Sequence, residues 1–223
     1  MRNLEFDDNY FANRQLNDVR RMRSFTSEAS FISKYASNEE TICDVGCSTG
    51  EFLEFIGWKG KMFGIEINSF AANQAKNRGI QIIANMDLFD GEFDVIVMRG
   101  TIQHLPSPFD SIKTAFEKLR PGGILFILAT PNIDSFFYRM TGNLPALDFP
   151  RNYWLPGFRQ MKTVCVREGF QLKGFDFPYR NSGYASIWDF PKFLLRIITR
   201  NPYFNSAFPK NMMNLAFVKP LAE

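Results

Sequence analysis

Residues 41–53 read Thr41-Ile42-Cys43-Asp44-Val45-Gly46-Cys47-Ser48-Thr49-Gly50-Glu51-Phe52-Leu53. The β-rich run Thr41–Val45 ends in a glycine-bearing turn, and from Glu51 onward Phe52, Leu53, Phe55 and Ile56 take helical spacing. The stretch is therefore a strand, a tight loop and a helix. Gly46 opens backbone angles closed to other residues and lets a ligand approach the main chain, while Gly50 lets the helix begin tight against the sheet. A loop of this kind suits a nucleotide-like ligand, although two glycines also occur in many ordinary turns.

Outward from this loop, strand and helix signals alternate. Lys61–Ile67, Ile80–Ala84, Phe93–Met98 and Ile124–Ala129 read as strands. Ser69–Arg78, stopped by Gly79, reads as a helix, as does Pro108–Leu119 with Ile112, Ala115, Phe116 and Leu119 on one face. Arg120-Pro121-Gly122-Gly123 is expected to break the chain before the fifth strand. Five strands separated by helices predict an α/β fold with a doubly wound parallel sheet, whose ligands bind at the carboxyl ends of the strands. Beyond Pro131 the aromatic and Pro-rich segment 131–157 is expected to be a lid or binding element. Arg159–Arg167 then reads as a helix, and Phe170–Phe177 and Asn214–Lys219 as strands. Between those two strands lies an insertion, 179–213, with the amphipathic run Phe190–Ile198. Residues 1–30 are expected to form an N-terminal helical cap on a domain spanning 31–223.

Composition narrows the class. The chain has 223 residues, 45% apolar and 22% charged, which is ordinary for a globular protein, but its 25 Phe demand a thick core or exposed aromatic surface. A net charge of +3 is too small to argue for nucleic acid, and the basic cluster Arg14, Arg20, Arg21 and Arg23 reads as a solvated helix face. No nucleic-acid partner is expected. Cys43, Cys47 and Cys165 have neither metal spacing nor an even-numbered disulfide pattern, which fits a reducing cytoplasm. The longest apolar run, Ile124–Ala129, is far below the about 20 residues that span a bilayer.

Two further carboxylates sharpen the ligand. Glu66 closes the second strand 22 residues after Asp44, where its oxygens can accept the hydroxyls of an adenosine ribose. Asp87, in Asn85-Met86-Asp87-Leu88 after the third strand, is either an acceptor for the adenine amine or a solvated loop acid. Ser48 stands where a dinucleotide fold carries its middle glycine. S-adenosylmethionine has no phosphate, and Asp44 suits its cationic methionine end, so the loop favours that cofactor over NAD.

With Phe93-Asp94-Val95-Ile96, Gln103-His104-Leu105-Pro106, Leu119-Arg120-Pro121-Gly122-Gly123 and Thr130-Pro131-Asn132, these residues resemble the class I S-adenosylmethionine-dependent methyltransferases. The resemblance is to the group that includes the ubiquinone-biosynthesis O-methyltransferases and many methyltransferases of bacterial surface-glycan pathways. It covers roughly Phe31 to Phe177. It implies a Rossmann-like, seven-stranded sheet whose last strand is antiparallel. It also implies that Gly46, Cys47 and Gly50 touch the cofactor through the main chain, Glu66 lies at its ribose, Met86, Asp87 and Leu88 at its adenine, and Arg99 and Gly100 at its methionine end, with Ile67 a further cofactor contact. Gln103 stands where the family often has glutamate, so no metal role is carried over.

His104, the sole histidine, is then either the general base for a hydroxyl acceptor or a cap that orders the turn before Pro106. Tyr138, Arg151, Tyr153 and Trp154 either shape the acceptor pocket or pack a lid. In the insertion, Phe190, Phe193, Leu194, Ile197 and Ile198, interspersed with Lys192, Arg196 and Arg200, either pack into the core or form a basic amphipathic helix. Such a helix would touch a lipid-linked substrate or the inner membrane face peripherally. The expected function is methylation of a small molecule or of a sugar in a surface-glycan pathway, in the cytoplasm. Competing readings are a nicotinamide-dependent oxidoreductase or epimerase, disfavoured by Ser48 and by the lack of a Tyr-x-x-x-Lys pair, and a non-catalytic cofactor-binding protein.

Overall fold

The computed structural model describes residues 19–144, 146–147, 151–180, 185–201 and 206–221. Residues 1–18, which include Arg14 and most of the expected N-terminal cap, lie outside the described residues.

The strands β1 (Ile42–Val45), β2 (Met62–Ile65), β3 (Gln81–Ile82), β4 (Phe93–Arg99), β5 (Leu119–Pro131), β6 (Gln171–Asp176) and β7 (Met212–Val218) form one sheet. Their order is β3-β2-β1-β4-β5-β7-β6. The first five are parallel, and β7 runs antiparallel to both its neighbours, as the resemblance implies. β1 is buried along its whole length and β4 along most of its own, because helices cover both faces. On one face, α1 (Val19–Ile32), α2 (Glu51–Phe55) and α3 (Ser69–Asn77) bury Phe25, Phe31, Ile32, Phe52, Leu53 and Ala75 with Ile42, Val95, Val97 and Phe126. On the other, α4 (Pro108–Lys118) and α6 (Phe158–Arg167) bury Ile112, Ala115, Met161 and Cys165 with Cys43, Ile96 and Leu125. The chain then adds α5 (Phe136–Thr141) after β5 and α7 (Asp189–Thr199) before β7.

The chain steps outward from β1 to β3, then returns to β4 on the opposite side of β1. Strand order thus reverses between β1 and β4. The loops leaving their carboxyl ends separate in opposite directions and open a crevice there.

Several local expectations change. Arg120-Pro121-Gly122-Gly123 does stop α4, but the pairing starts at once: Leu119 faces Phe93, Ile124 faces Val95, and the intervening residues form a bulge. The Arg120 guanidinium pairs with the Asp94 carboxylate, which also accepts from Thr41 N at 2.7 Å, so these motifs stitch the amino ends of β1, β4 and β5. Arg21 is not on a solvated face; it pairs with Glu51 and lies over the Phe25 ring. The insertion helix α7 is not core either. Its only buried residue is Asp189, while Phe190 and Ile198 stand out in solvent.

Asn132, just past β5, fastens this region. Its Oδ1 accepts from Asp134 N at 3.1 Å and Phe158 N at 3.0 Å, and its Nδ2 donates to Lys210 O at 2.9 Å. It is 2% exposed, so water does not replace these partners. Asn132→Ala orphans them, and we expect a loss of about 2 kcal/mol or more in denaturant unfolding; a loss below about 0.5 kcal/mol would contradict this role.

Candidate active site

The loop between β1 and α2 carries three left-handed residues, Gly46 (φ 77°), Ser48 (φ 54°) and Gly50 (φ 81°). At Gly46 a Cβ would stand 2.7 Å from Thr101 Cγ2, so only glycine lets the loop pass the turn that follows β4. At Gly50 a Cβ would meet the backbone of Ala75 in α3 at 3.1 Å. The two glycines thus hold the loop between β4 and α3. Ser48 has no such freedom, and its left-handed conformation is held by its own N–H, which donates to Glu66 Oε2 at 2.9 Å. Glu66 Oε1 accepts from Asn68 N at 2.9 Å, and the Asn68 side chain caps α3 through Ala71 N at 2.8 Å. Glu66 therefore clamps the glycine loop to the start of α3. Each of its oxygens keeps a second lone pair.

Asp44 is 2% exposed, and its Oδ1 has no hydrogen-bond partner among the described residues. Burial, the largest influence, pushes its carboxyl up to about 7; the Arg99 guanidinium opposes that rise, and Glu66 and Glu28 add to it. Arg99 itself is held by Glu28 of α1, Nε to Oε2 at 2.5 Å and Nη2 to Oε1 at 3.3 Å, and it lies 4.4 Å from the Phe25 ring centroid. Its side chain is engaged with α1, so Arg99 acts on Asp44 through its charge. Gly100, at φ 60°, donates its N–H to Leu128 O at 2.8 Å.

The remaining expected cofactor residues ring the same edge. Ile67, after β2, is 81% exposed and Leu88, after β3, is 70% exposed, with Asp87 also open to solvent. Met86 turns into the core. Cys47 is buried against Gly64, and burial pushes its thiol up out of the reactive range, as it does for Cys43 and Cys165. Among the described residues no group of His, Cys, Asp and Glu is arranged to hold a metal.

On the far side of the crevice, the turn Ile102–His104 meets the segment after β5. Tyr153 N and Trp154 N both reach Gln103 O, at 2.9 and 3.3 Å, and His104 Nδ1 lies 2.9 Å from Arg151 O. A carbonyl only accepts, so Nδ1 carries the proton in this bond. Gln103 Nε2 donates to Gly100 O at 3.1 Å, leaving its buried Oε1 without a partner among the described residues. Three of the four expected acceptor residues, Arg151, Tyr153 and Trp154, are thus gathered beside His104. Tyr138 is elsewhere, on α5. Glu28 and Thr101 were missed. A carboxylate among Phe25, Phe31 and Ile32 on one helical face was the available sign of Glu28; Thr101 gave none.

A family profile described as a methyltransferase domain matches residues 11–191. The chain belongs to the methyltransferase-domain family. Its fold matches an S-adenosylmethionine-dependent methyltransferase from Thermotoga maritima with TM-score 0.63 at 19% identity, over 90% of this chain and 91% of that one. It also matches a magnesium protoporphyrin IX methyltransferase from Synechocystis, solved with S-adenosylhomocysteine, with TM-score 0.59 at 11% identity over 90% and 84%. A tRNA U34 carboxymethyltransferase of Campylobacter jejuni is 25% identical over 60% of this chain and 50% of its own length. A ubiquinone biosynthesis O-methyltransferase of Marinobacter nauticus is 25% identical over 44% and 48%. The chain spans about half the length of these curated relatives.

The cofactor of this methyltransferase is S-adenosylmethionine, and the crevice fits it. An orphaned carboxylate oxygen at Asp44 awaits a cation, the lone pairs of Glu66 suit hydroxyls, and exposed Ile67 and Leu88 suit the faces of a purine. Gly46→Ala places a methyl against Thr101 in a strained backbone, and we expect calorimetry to show at least a tenfold loss of S-adenosylhomocysteine affinity, about 1.4 kcal/mol; unchanged affinity would contradict the close approach.

The folded protein keeps a proton on Asp44 up to about pH 7, whereas the unfolded chain releases it near pH 4. Stability without cofactor is therefore fully present below about pH 4 for this group and declines as pH rises to about 7. Asp44→Asn removes that contribution, so the stability difference between variant and wild type grows across this range in denaturant titrations at several pH values. A constant difference would remove the raised carboxyl.

Proposed function

We propose that this methyltransferase transfers the methyl group to a hydroxyl oxygen of a small molecule or sugar, with His104 as the general base. The observation that supports the reading is the place of His104, the sole histidine, whose Nδ1 is fixed 2.9 Å from Arg151 O in the turn that follows β4. In the proposed arrangement Asp44 receives the ammonium of the methionine end, Glu66 the ribose hydroxyls, and Ile67 and Leu88 flank the adenine. Gly46, Cys47 and Gly50 line the cofactor with main chain, Asp87 faces the adenine amine, and Gly100 and the field of Arg99 border the methionine end.

When bound, S-adenosylmethionine supplies an electrophilic methyl whose carbon–sulfur bond breaks as the carbon–oxygen bond forms. The protein's share is alignment and exclusion of water, and positioning of this kind lowers a barrier by up to about 7–11 kcal/mol. His104 takes the hydroxyl proton as the oxygen attacks. The Gln103 carboxamide, oriented by its bond to Gly100 O, offers its free Oε1 to a second donor on the acceptor. Tyr153, 57% exposed, and Trp154 present aromatic planes suited to a sugar or ring.

The test is turnover with a labelled methyl donor against hydroxylated small molecules, sugars and tRNA. His104→Gln is expected to lower turnover about a hundredfold or more, with S-adenosylhomocysteine affinity kept within about threefold. Unchanged turnover would reduce His104 to a cap for the turn, methylation of tRNA alone would replace the acceptor class, and cofactor binding without turnover on any acceptor would favour a non-catalytic binder.

A further inference from the structure

We infer that α7 and the neighbouring α5 form a docking surface for an anionic lipid headgroup layer. α7 is anchored along one stripe only. The buried Asp189 carboxylate accepts from Ser186 N at 2.7 Å, Ala207 N at 3.2 Å and Tyr179 OH at 3.1 Å, which ties the amino end of the helix to the chain on either side of it. Four residues on, the Phe193 ring packs against Phe137 of α5 and against Phe208, with centroids 5.7 and 4.9 Å apart. Arg196 Nη2 donates to Thr141 O at the end of α5, at 2.8 Å. Asp189, Phe193 and Arg196 follow helical spacing and define the seated face.

The rest of the helix is apolar and bare. Ile187, Trp188, Phe190 and Ile198 are 89%, 61%, 63% and 77% exposed, and Leu194, Leu195 and Ile197 are exposed as well. On α5, Phe136 and Met140 continue the patch at 68% and 50%. A soluble helix of this size normally buries its apolar stripe. Here the more apolar side faces out, which marks a contact surface.

Charge selects the occupant. Lys192 is half-buried on α7, Arg200 is exposed just past its last turn, and Arg139 is exposed in the last turn of α5, while Arg196 belongs to the seated face. Asp189 is the only carboxylate between residues 185 and 201, and it is buried. On α5's side, Asp134 is occupied by Arg159 N. Cations bordering an apolar helix face that carries Trp188 and Phe190 match the interface of a membrane with anionic lipids, where apolar side chains enter and long basic side chains reach up to headgroups. Among the described residues no helix is long and apolar enough to cross a membrane, so the contact is peripheral. The inference goes beyond the proposed function, and its test does not depend on turnover.

The test is flotation of the full chain with vesicles of equal parts phosphatidylglycerol and phosphatidylcholine, beside vesicles of phosphatidylcholine alone. Binding to the anionic vesicles is expected, weakened by salt and at least about tenfold weaker to the neutral ones. The double variant Phe190→Glu with Ile198→Glu is expected to lose at least about tenfold in partitioning. It should keep wild-type affinity for S-adenosylhomocysteine, which shows that the fold is intact. Absence of flotation overturns the inference, as does equal flotation of the variant. A concentration-dependent dimer that the same substitutions abolish, without vesicle binding, would assign the surface to a second copy instead.

Discussion

The site rests on a chain of buried charge that joins three distant parts of the sequence. Glu28 of α1 holds Arg99 at the end of β4, and Arg99 in turn tempers Asp44 at the end of β1. Glu28 is itself fixed by Ser24, one helical turn before it, at 2.5 Å. With Glu28 and Arg99 neutralising one another, an ionised Asp44 leaves one negative charge in a closed environment. Buried charge of that sort is costly unless paired, and the raised carboxyl of Asp44 expresses the cost. A cationic ligand group at its free oxygen would complete the pairing, so α1 contributes to the electrostatics of a crevice that it need not touch.

The glycine loop depends on a second constraint, this one in the backbone. Three of its residues are left-handed, and for Ser48 that conformation costs about 1–2 kcal/mol. The N–H of Ser48 finds Glu66 Oε2, and the other oxygen of Glu66 fixes the start of α3. One carboxylate therefore sets the shape of the loop and the position of the neighbouring helix. A ribose at Glu66 would bind to a group already immobilised, with little entropy left to lose.

Much of this was legible in the sequence because it depends on local patterns. Short β-rich runs identified the central strands, and the residues from Asp44 to Gly50, with Glu66 at its spacing, marked the edge where the strand order reverses. What escaped depends on contacts between remote segments. The helix-breaking quality of Arg120-Pro121-Gly122-Gly123 was plain, but its use as a bulge within β5 follows from Asp94 pairing with Arg120 across the sheet. The pattern of α7 was recognised as amphipathic, yet periodicity does not say which side faces in. Asp189 and Phe193 settle that, through partners on either side of the insertion and on α5. Glu66 was read as a ligand group, whereas its bonds to Ser48 and Asn68 give it a structural task as well.

The acceptor side follows a different logic from the cofactor side. Residues 151–154 are joined to the turn after β4 almost entirely through main chain: Tyr153 N and Trp154 N meet Gln103 O, and Arg151 O meets His104. Only His104 enters these bonds through a side chain. Trp154 also packs on Phe109, with ring centroids 5.2 Å apart. Arg151 enters these bonds through its carbonyl and Tyr153 through its N–H. A backbone fixed by its own main-chain bonds can carry different side chains on one path, and on the proposed function that would let one methyl-transfer crevice accommodate different acceptors. On that reading, selectivity for the acceptor would reside in the side chains that the strap carries beside His104.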